Sequence, residues 1–231
     1  MLTTPLGLPV PAAITTIVCD YDGVLTDPLS QRYAALTSRA GIDIGDFMQA
    51  LSSAKRATGI DPMAALQLDT ITEAGFVDRI EEHLPAGSPP LTAEALRAAW
   101  FDGRPANDAF VTFLRTLRAC GYRLALLTNT VAEWWPQWRA RVPVGELFDV
   151  IVASSEEGVR KPDPEIYFRL LSRMQVPATE CLYIDTVADH CEVASSFGMR
   201  AVHFRTTSQA TSSVAAALLA AVEPEPEFIL V

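Results

Sequence analysis

The chain has 231 residues, 49% of them hydrophobic, enough to bury a sizeable core, and a net charge of −10. That acidity argues against nucleic-acid and anionic-membrane binding, both of which need a basic face. Four cysteines without metal-type spacing, no basic residue ahead of Thr15 and no apolar run long enough to span a bilayer give the expectation of a cytoplasmic protein in a reducing compartment.

After a loose lead-in over 1–13, residues 15–19 read as a buried strand, apolar and largely β-branched. It ends in Asp20-Tyr21-Asp22-Gly23. Asp-Gly alone is the signature of a turn. Two carboxylates spaced by two in extended chain point the same way, and they repel unless a cation lies between them. A strand ending so, followed by apolar Val24-Leu25, reads as the edge of an active site, since open α/β sheets build their sites at the carboxyl ends of strands.

From about 30 to 100 the pattern is helical. Phe47, Met48, Leu51 and Ala54 recur at helical spacing, as do Phe76, Ile80 and Leu84, with Thr72 and Thr92 as N-caps. His83 is expected at a helix end and Lys55 on a solvated face. Residues 105–120 predict a helix, 122–127 a second buried strand ending in Thr128-Asn129-Thr130, and 131–141 a helix whose three tryptophans (134, 135, 138) face the core. A third strand is expected at 148–153, a helix at 163–175, a fourth strand at 181–184 ending in Asp185, a helix to 197, a fifth strand at 200–204 and a last helix at 208–222. Residues 223–227 read as an acidic linker before an apolar tail, Phe228 to Val231. Strands that are apolar throughout and alternate with helices predict a doubly wound parallel sheet covered on both faces. Of 18 basic residues only Lys55 and Lys161 are lysines, which singles out Lys161 in Arg160-Lys161-Pro162-Asp163-Pro164.

Asp20-x-Asp22-Gly-Val-Leu-Thr, Thr128 at the end of the second strand, Lys161 in Arg-Lys-Pro-Asp-Pro-x-Ile-Tyr and Asp185 after Leu-Tyr-Ile together resemble the four ordered motifs of the haloacid dehalogenase-like hydrolases. The resemblance covers nearly everything after residue 14. It implies a Rossmann-like core over 1–27 and 101–231, with a small all-helical cap over 28–100. It implies a nucleophile, Asp20, and a general acid and base, Asp22. Lys161 would be catalytic and bind substrate, Thr128 and Asn129 would contact the phosphoryl group, and Mg²⁺ would be held by Asp20, Asp22 and Asp185. An acid at Asp22 matches phosphatases rather than dehalogenases. The fourth motif departs from the pattern: Thr186 stands where a metal-binding acid is usual and His190 where a later acid is common, leaving Asp185, with Asp189 as a possible helper.

The implied activity is Mg²⁺-dependent hydrolysis of a small phosphorylated metabolite. A weakened or non-catalytic binding protein, favoured by Thr186, and a phosphomutase stay open as alternatives, as does the oligomeric state.

Overall fold

The computed structural model describes residues 13–26, 30–103 and 105–221. The lead-in, the acidic linker and the apolar tail fall outside them, apart from Ala13.

Five parallel strands form one sheet in the order β3-β2-β1-β4-β5: β1 (Thr16–Cys19), β2 (Arg123–Thr128), β3 (Val150–Ala153), β4 (Cys181–Asp185) and β5 (Arg200–His203). The order reverses between β1 and β4, so the crevice at their carboxyl ends is where side chains at strand ends can converge. Alternation along the strands feeds two apolar clusters. Ile17, Cys19, Leu124, Leu126, Leu182 and Ile184 belong to one, and Val18, Ala125, Leu127, Val152 and Tyr183 to the other. The sheet is therefore covered on both faces, as the unbroken apolar strands require.

Twelve helices are present among the described residues. Five lie between β1 and the next core helix: α1 (Ser30–Ala40), α2 (Ile44–Thr58), α3 (Pro62–Gln67), α4 (Glu73–Glu81) and α5 (Ala93–Phe101). The Thr72 and Thr92 hydroxyls accept from the backbone N–H groups of Gly75 and Ala95, as N-caps should. Phe47, Ala50, Ala54, Phe76, Ile80 and Leu96 are buried, whereas Met48 is 46% exposed, because the buried stripe of α2 runs through Phe47, Ala50 and Ala54. Lys55 is exposed, as expected. The chain leaves and re-enters the core side by side. Thr26 bridges Ala106, and Asn107 binds the carbonyls of Leu25 and Val24.

The core continues with α6 (Asp108–Ala119). The tryptophan segment is a short 3₁₀ turn, Ala132–Trp134, that runs into α7 (Trp135–Arg141), not one helix. Pro136 sits in the first turn of α7, where its missing N–H costs nothing. Trp134 and Trp138 are buried and Trp135 is half-buried. Then follow α8 (Val144–Leu147), α9 (Ser154–Glu157), α10 (Pro164–Met174), α11 (Ala188–Ser196) and α12 (Thr207–Ala220). Sequence reading missed α8 and α9, which are single turns too short to show a period. No described helix is long and apolar enough to cross a membrane.

The helical insert is fastened to the core through a buried carboxylate. Glu73, 2% exposed at the start of α4, accepts from the Arg97 guanidinium of α5 and from the indole N–H of Trp134 in the core. Its own backbone N–H donates to the Glu133 carboxylate at 2.7 Å. Glu73→Ala leaves the Trp134 N–H buried without an acceptor, so we expect a loss of about 2 kcal/mol. Urea unfolding followed by tryptophan fluorescence measures it.

Candidate active site

The strand–loop junction after β1 is built to present carboxylates. The Asp20 backbone N–H still bonds to the Ile184 carbonyl of β4 at 2.9 Å, so Asp20 is fixed at the sheet's edge. The chain then turns: the Val24 and Leu25 N–H groups return to the Tyr21 carbonyl, and Gly23 takes a φ of 79°, which explains the glycine. Tyr21 between the two aspartates is buried, stacks on Trp138 with ring centroids 3.7 Å apart and donates its hydroxyl to the Trp138 carbonyl. It anchors the loop from below. Asp22 is half-buried.

Lys161 reaches the same point from the loop before α10. Its ammonium donates to the Asp20 carboxylate at 2.8 Å, the Asp185 carboxylate at 2.7 Å and the Leu127 carbonyl at 2.9 Å. Three donors meet three acceptors, and the side chain is only 1% exposed. Burial works against the charge, but the two carboxylates outweigh it and hold the lysine's pKa above its ordinary value. Asn129 fixes the lysine's backbone with its side-chain amide, donating to the Lys161 carbonyl and accepting from the Lys161 N–H. Both ends of that amide are thus engaged within the protein. Asn129 thus positions Lys161, and its amide keeps a second N–H.

Asp185 is held from several sides. Its Oδ2 accepts from Lys161, from the Tyr183 hydroxyl at 2.5 Å and from His190 Nδ1 at 3.0 Å, and its Oδ1 accepts from the Val187 N–H. A carboxylate can only accept, so Nδ1 of His190 carries the proton. Burial opposes ionisation of Asp185, yet Lys161 and His190 keep its carboxyl well below the usual range. Burial keeps His190 lower than an ordinary histidine. With both oxygens hydrogen-bonded and no solvent exposure, Asp185 orients Lys161. Asp189 is exposed on α11. Tyr183 and His190 were missed as supports. The usable signals were a tyrosine two residues before a strand-end acid and a histidine five residues after it.

Thr128, fully buried at the end of β2, has a hydroxyl without a hydrogen-bond partner, as sequence position alone would not reveal. Thr186 is half-buried, and its hydroxyl lies 3.5 Å from the Asp22 carbonyl oxygen. No group of three His, Cys, Asp or Glu side chains forms a metal cage among the described residues.

Residues 14–189 match the haloacid dehalogenase-like hydrolase family. The chain belongs to that family. It is 29% identical over 200 residues to a phosphatase of Mycobacterium tuberculosis, covering 82% of this chain and 86% of that one. It is 36% identical over 105 residues to a sesquiterpene phosphatase of Aspergillus oryzae (45% of this chain), spanning about half, 53%, of that relative. A phosphoserine phosphatase of Thermus thermophilus is 29% identical over 67% of this chain and 62% of its own. Among solved structures, a HAD family enzyme of Bacteroides thetaiotaomicron in complex with magnesium and inorganic phosphate superposes with a TM-score of 0.64 at 21% identity, covering 83% of this chain and 94% of that one. At that identity the likeness speaks for the fold, which agrees with the expected Rossmann-like core.

Asp20 carries a measurable burden. Burial raises its carboxyl to about 7, Lys161 opposing and Asp185 and Asp22 adding to the rise. The folded state therefore holds a proton that the unfolded chain releases near the ordinary carboxylate range. Stability contributed by this group is highest below that range and falls as pH rises toward about 7. In metal-free buffer, Asp20→Asn removes that loss. The melting-temperature gain of the variant over wild type is expected to grow from pH 4 to pH 8, as read by calorimetry.

Proposed function

We propose that the protein is a phosphatase of small phosphorylated metabolites that works through a phospho-aspartate at Asp20. The observation that carries the reading is the pairing of a carboxylate locked by Lys161 with the partnerless hydroxyl of Thr128 at neighbouring strand ends. A phosphoryl group brought up to Asp20 offers the oxygens that Thr128 lacks, and the relatives named phosphatases agree with that use.

The residues then divide the work. Asp20 attacks phosphorus, and the phosphorus–oxygen ester bond breaks with its electron pair leaving on the alcohol oxygen. Asp22 gives that oxygen a proton. It then takes a proton from water, which attacks phosphorus and releases inorganic phosphate and the Asp20 carboxylate. Lys161 stays charged throughout and offsets the charge of the transferring group. The helices at 30–101 act as the cap that limits access to small substrates.

Asp20 and Asp185 share one ammonium and Asp20 also feels the charge of Asp22, so a phosphate dianion needs further positive charge. The donor set is hard oxygen and fits a weakly held Mg²⁺, an ion that binds through one or two carboxylates, water and substrate phosphate. Asp20 and Asp22 would hold it, with the Asp22 carbonyl and the Thr186 hydroxyl beside them. When bound, Mg²⁺ supplies charge neutralisation at the phosphoryl oxygens. Thr186 is also the observation that favours a second reading, a protein that binds phosphorylated metabolites without turning them over.

Hydrolysis of an aryl phosphate is the assay. Asp20→Asn is expected to lower turnover by about three orders of magnitude or more while retaining the fold. Near wild-type turnover in this variant overturns the reading. Thr186→Asp adds a charged oxygen ligand, so calorimetric titration is expected to show tighter Mg²⁺ binding than wild type. Equal affinities contradict a ligand-poor site, and tighter binding without turnover in either protein favours the binding reading.

A further inference from the structure

We infer that Arg160 forms a second anion subsite, one that reads a carboxylate or second phosphate on the substrate's leaving group. The inference deepens the phosphatase reading and borrows its assay from it.

Arg160 precedes Lys161, whose ammonium holds Asp20. Its Nε donates to the Gln67 side-chain carbonyl of α3 at 3.1 Å. The other end of that carboxamide points at the Asn129 carbonyl, 3.5 Å away, beside the end of β2. Gln67 is itself pinned, since its backbone carbonyl accepts from the Ser154 hydroxyl at 2.6 Å. The guanidinium is thereby set where the helical insert meets the loop that carries Lys161, beside the end of β2.

Its charge is not spent. The Nε bond to a neutral amide uses one of the fork's donors, and Arg160 has no ion pair among the described residues. Burial pushes its pKa down, and the groups whose charge it feels are Asp61 and Tyr33. Asp61 is exposed and N-caps α3 through the Met63 and Ala64 N–H groups. The Tyr33 phenol, raised to about 12 chiefly by burial, is neutral at working pH. Tyr33 is held against Phe47 and Trp100 in a rigid aromatic corner. A half-buried guanidinium that has no ion pair among the described residues, only the attraction of exposed Asp61, is costly, and its planar fork matches carboxylate and phosphate. The Arg160–Gln67 contact joins core to insert, so an anion there would engage groups from both.

The test uses pairs of esters that differ by one distal anion: 3-phosphoglycerate against glycerol 3-phosphate, phosphoserine against phosphoethanolamine, and fructose 1,6-bisphosphate against fructose 6-phosphate. Wild type is expected to favour the anionic member of at least one pair by about tenfold in kcat/KM. Arg160→Gln should erase that preference through KM, and Arg160→Lys should restore part of it. A merely structural role lowers both members of a pair together. An unchanged preference in Arg160→Gln, or no preference in any pair, overturns the subsite. If wild type hydrolyses no ester, the phosphatase reading fails, and the same compounds are titrated against melting temperature. A shift from the anionic members that is lost in Arg160→Gln upholds the subsite, and its absence removes it.

Discussion

The ammonium of Lys161 sits between two carboxylates in a place almost without water, and the site depends on it. Remove it, and Asp20 and Asp185 are two like charges at adjacent strand ends, each facing the full cost of burial. The sheet order makes the arrangement possible. β1 and β4 are neighbours, so residues at their ends are side by side, and β2 supplies the third acceptor through the Leu127 carbonyl. A buried ion pair of this kind is weak evidence for stability. Its worth lies in fixing one carboxylate in one orientation.

The supports are layered outward from that ammonium. Asp185 is itself held by Tyr183, His190 and the Val187 N–H, and the Lys161 backbone is held by Asn129. The same loop that carries Lys161 carries Arg160, which touches the helical insert through Gln67. Insert and catalytic loop are thus joined a single residue from the lysine. Movement of the insert would be felt at the lysine's loop, and a substrate that bridges the two would favour their contact.

Much of this was legible in the sequence because a strand leaves an unambiguous trace: a short apolar, β-branched run stopped by a polar residue. Asp20, Thr128 and Asp185 were singled out that way, Lys161 instead by the scarcity of lysine and its Arg-Lys-Pro-Asp-Pro setting, and β1 to β5 lie within two residues of their expected bounds. What was not legible is what side chains do across the chain. Asp185 and Asn129 are polar residues at strand ends, and nothing local says that their oxygens are occupied from within. Thr186 announced a change in the acid pattern but not its consequence, which depends on the distance to the Asp22 carbonyl. On α2 Phe47 and Ala54 are buried as their spacing suggests, but Met48 is exposed and Ala50 takes a buried place, because only the packing of the insert chooses among equally apolar neighbours.

The claim that Asp20 is a nucleophile held ready by Lys161 is tested most directly by trapping the intermediate. Wild-type protein turning over a phosphate ester is quenched in acid within one catalytic cycle, digested and read by peptide mass spectrometry. The account predicts one added phosphoryl group on the peptide that contains Asp20, and on that residue. A phosphoryl group on any other residue, or steady turnover with no labelled peptide at any quench time, would contradict it.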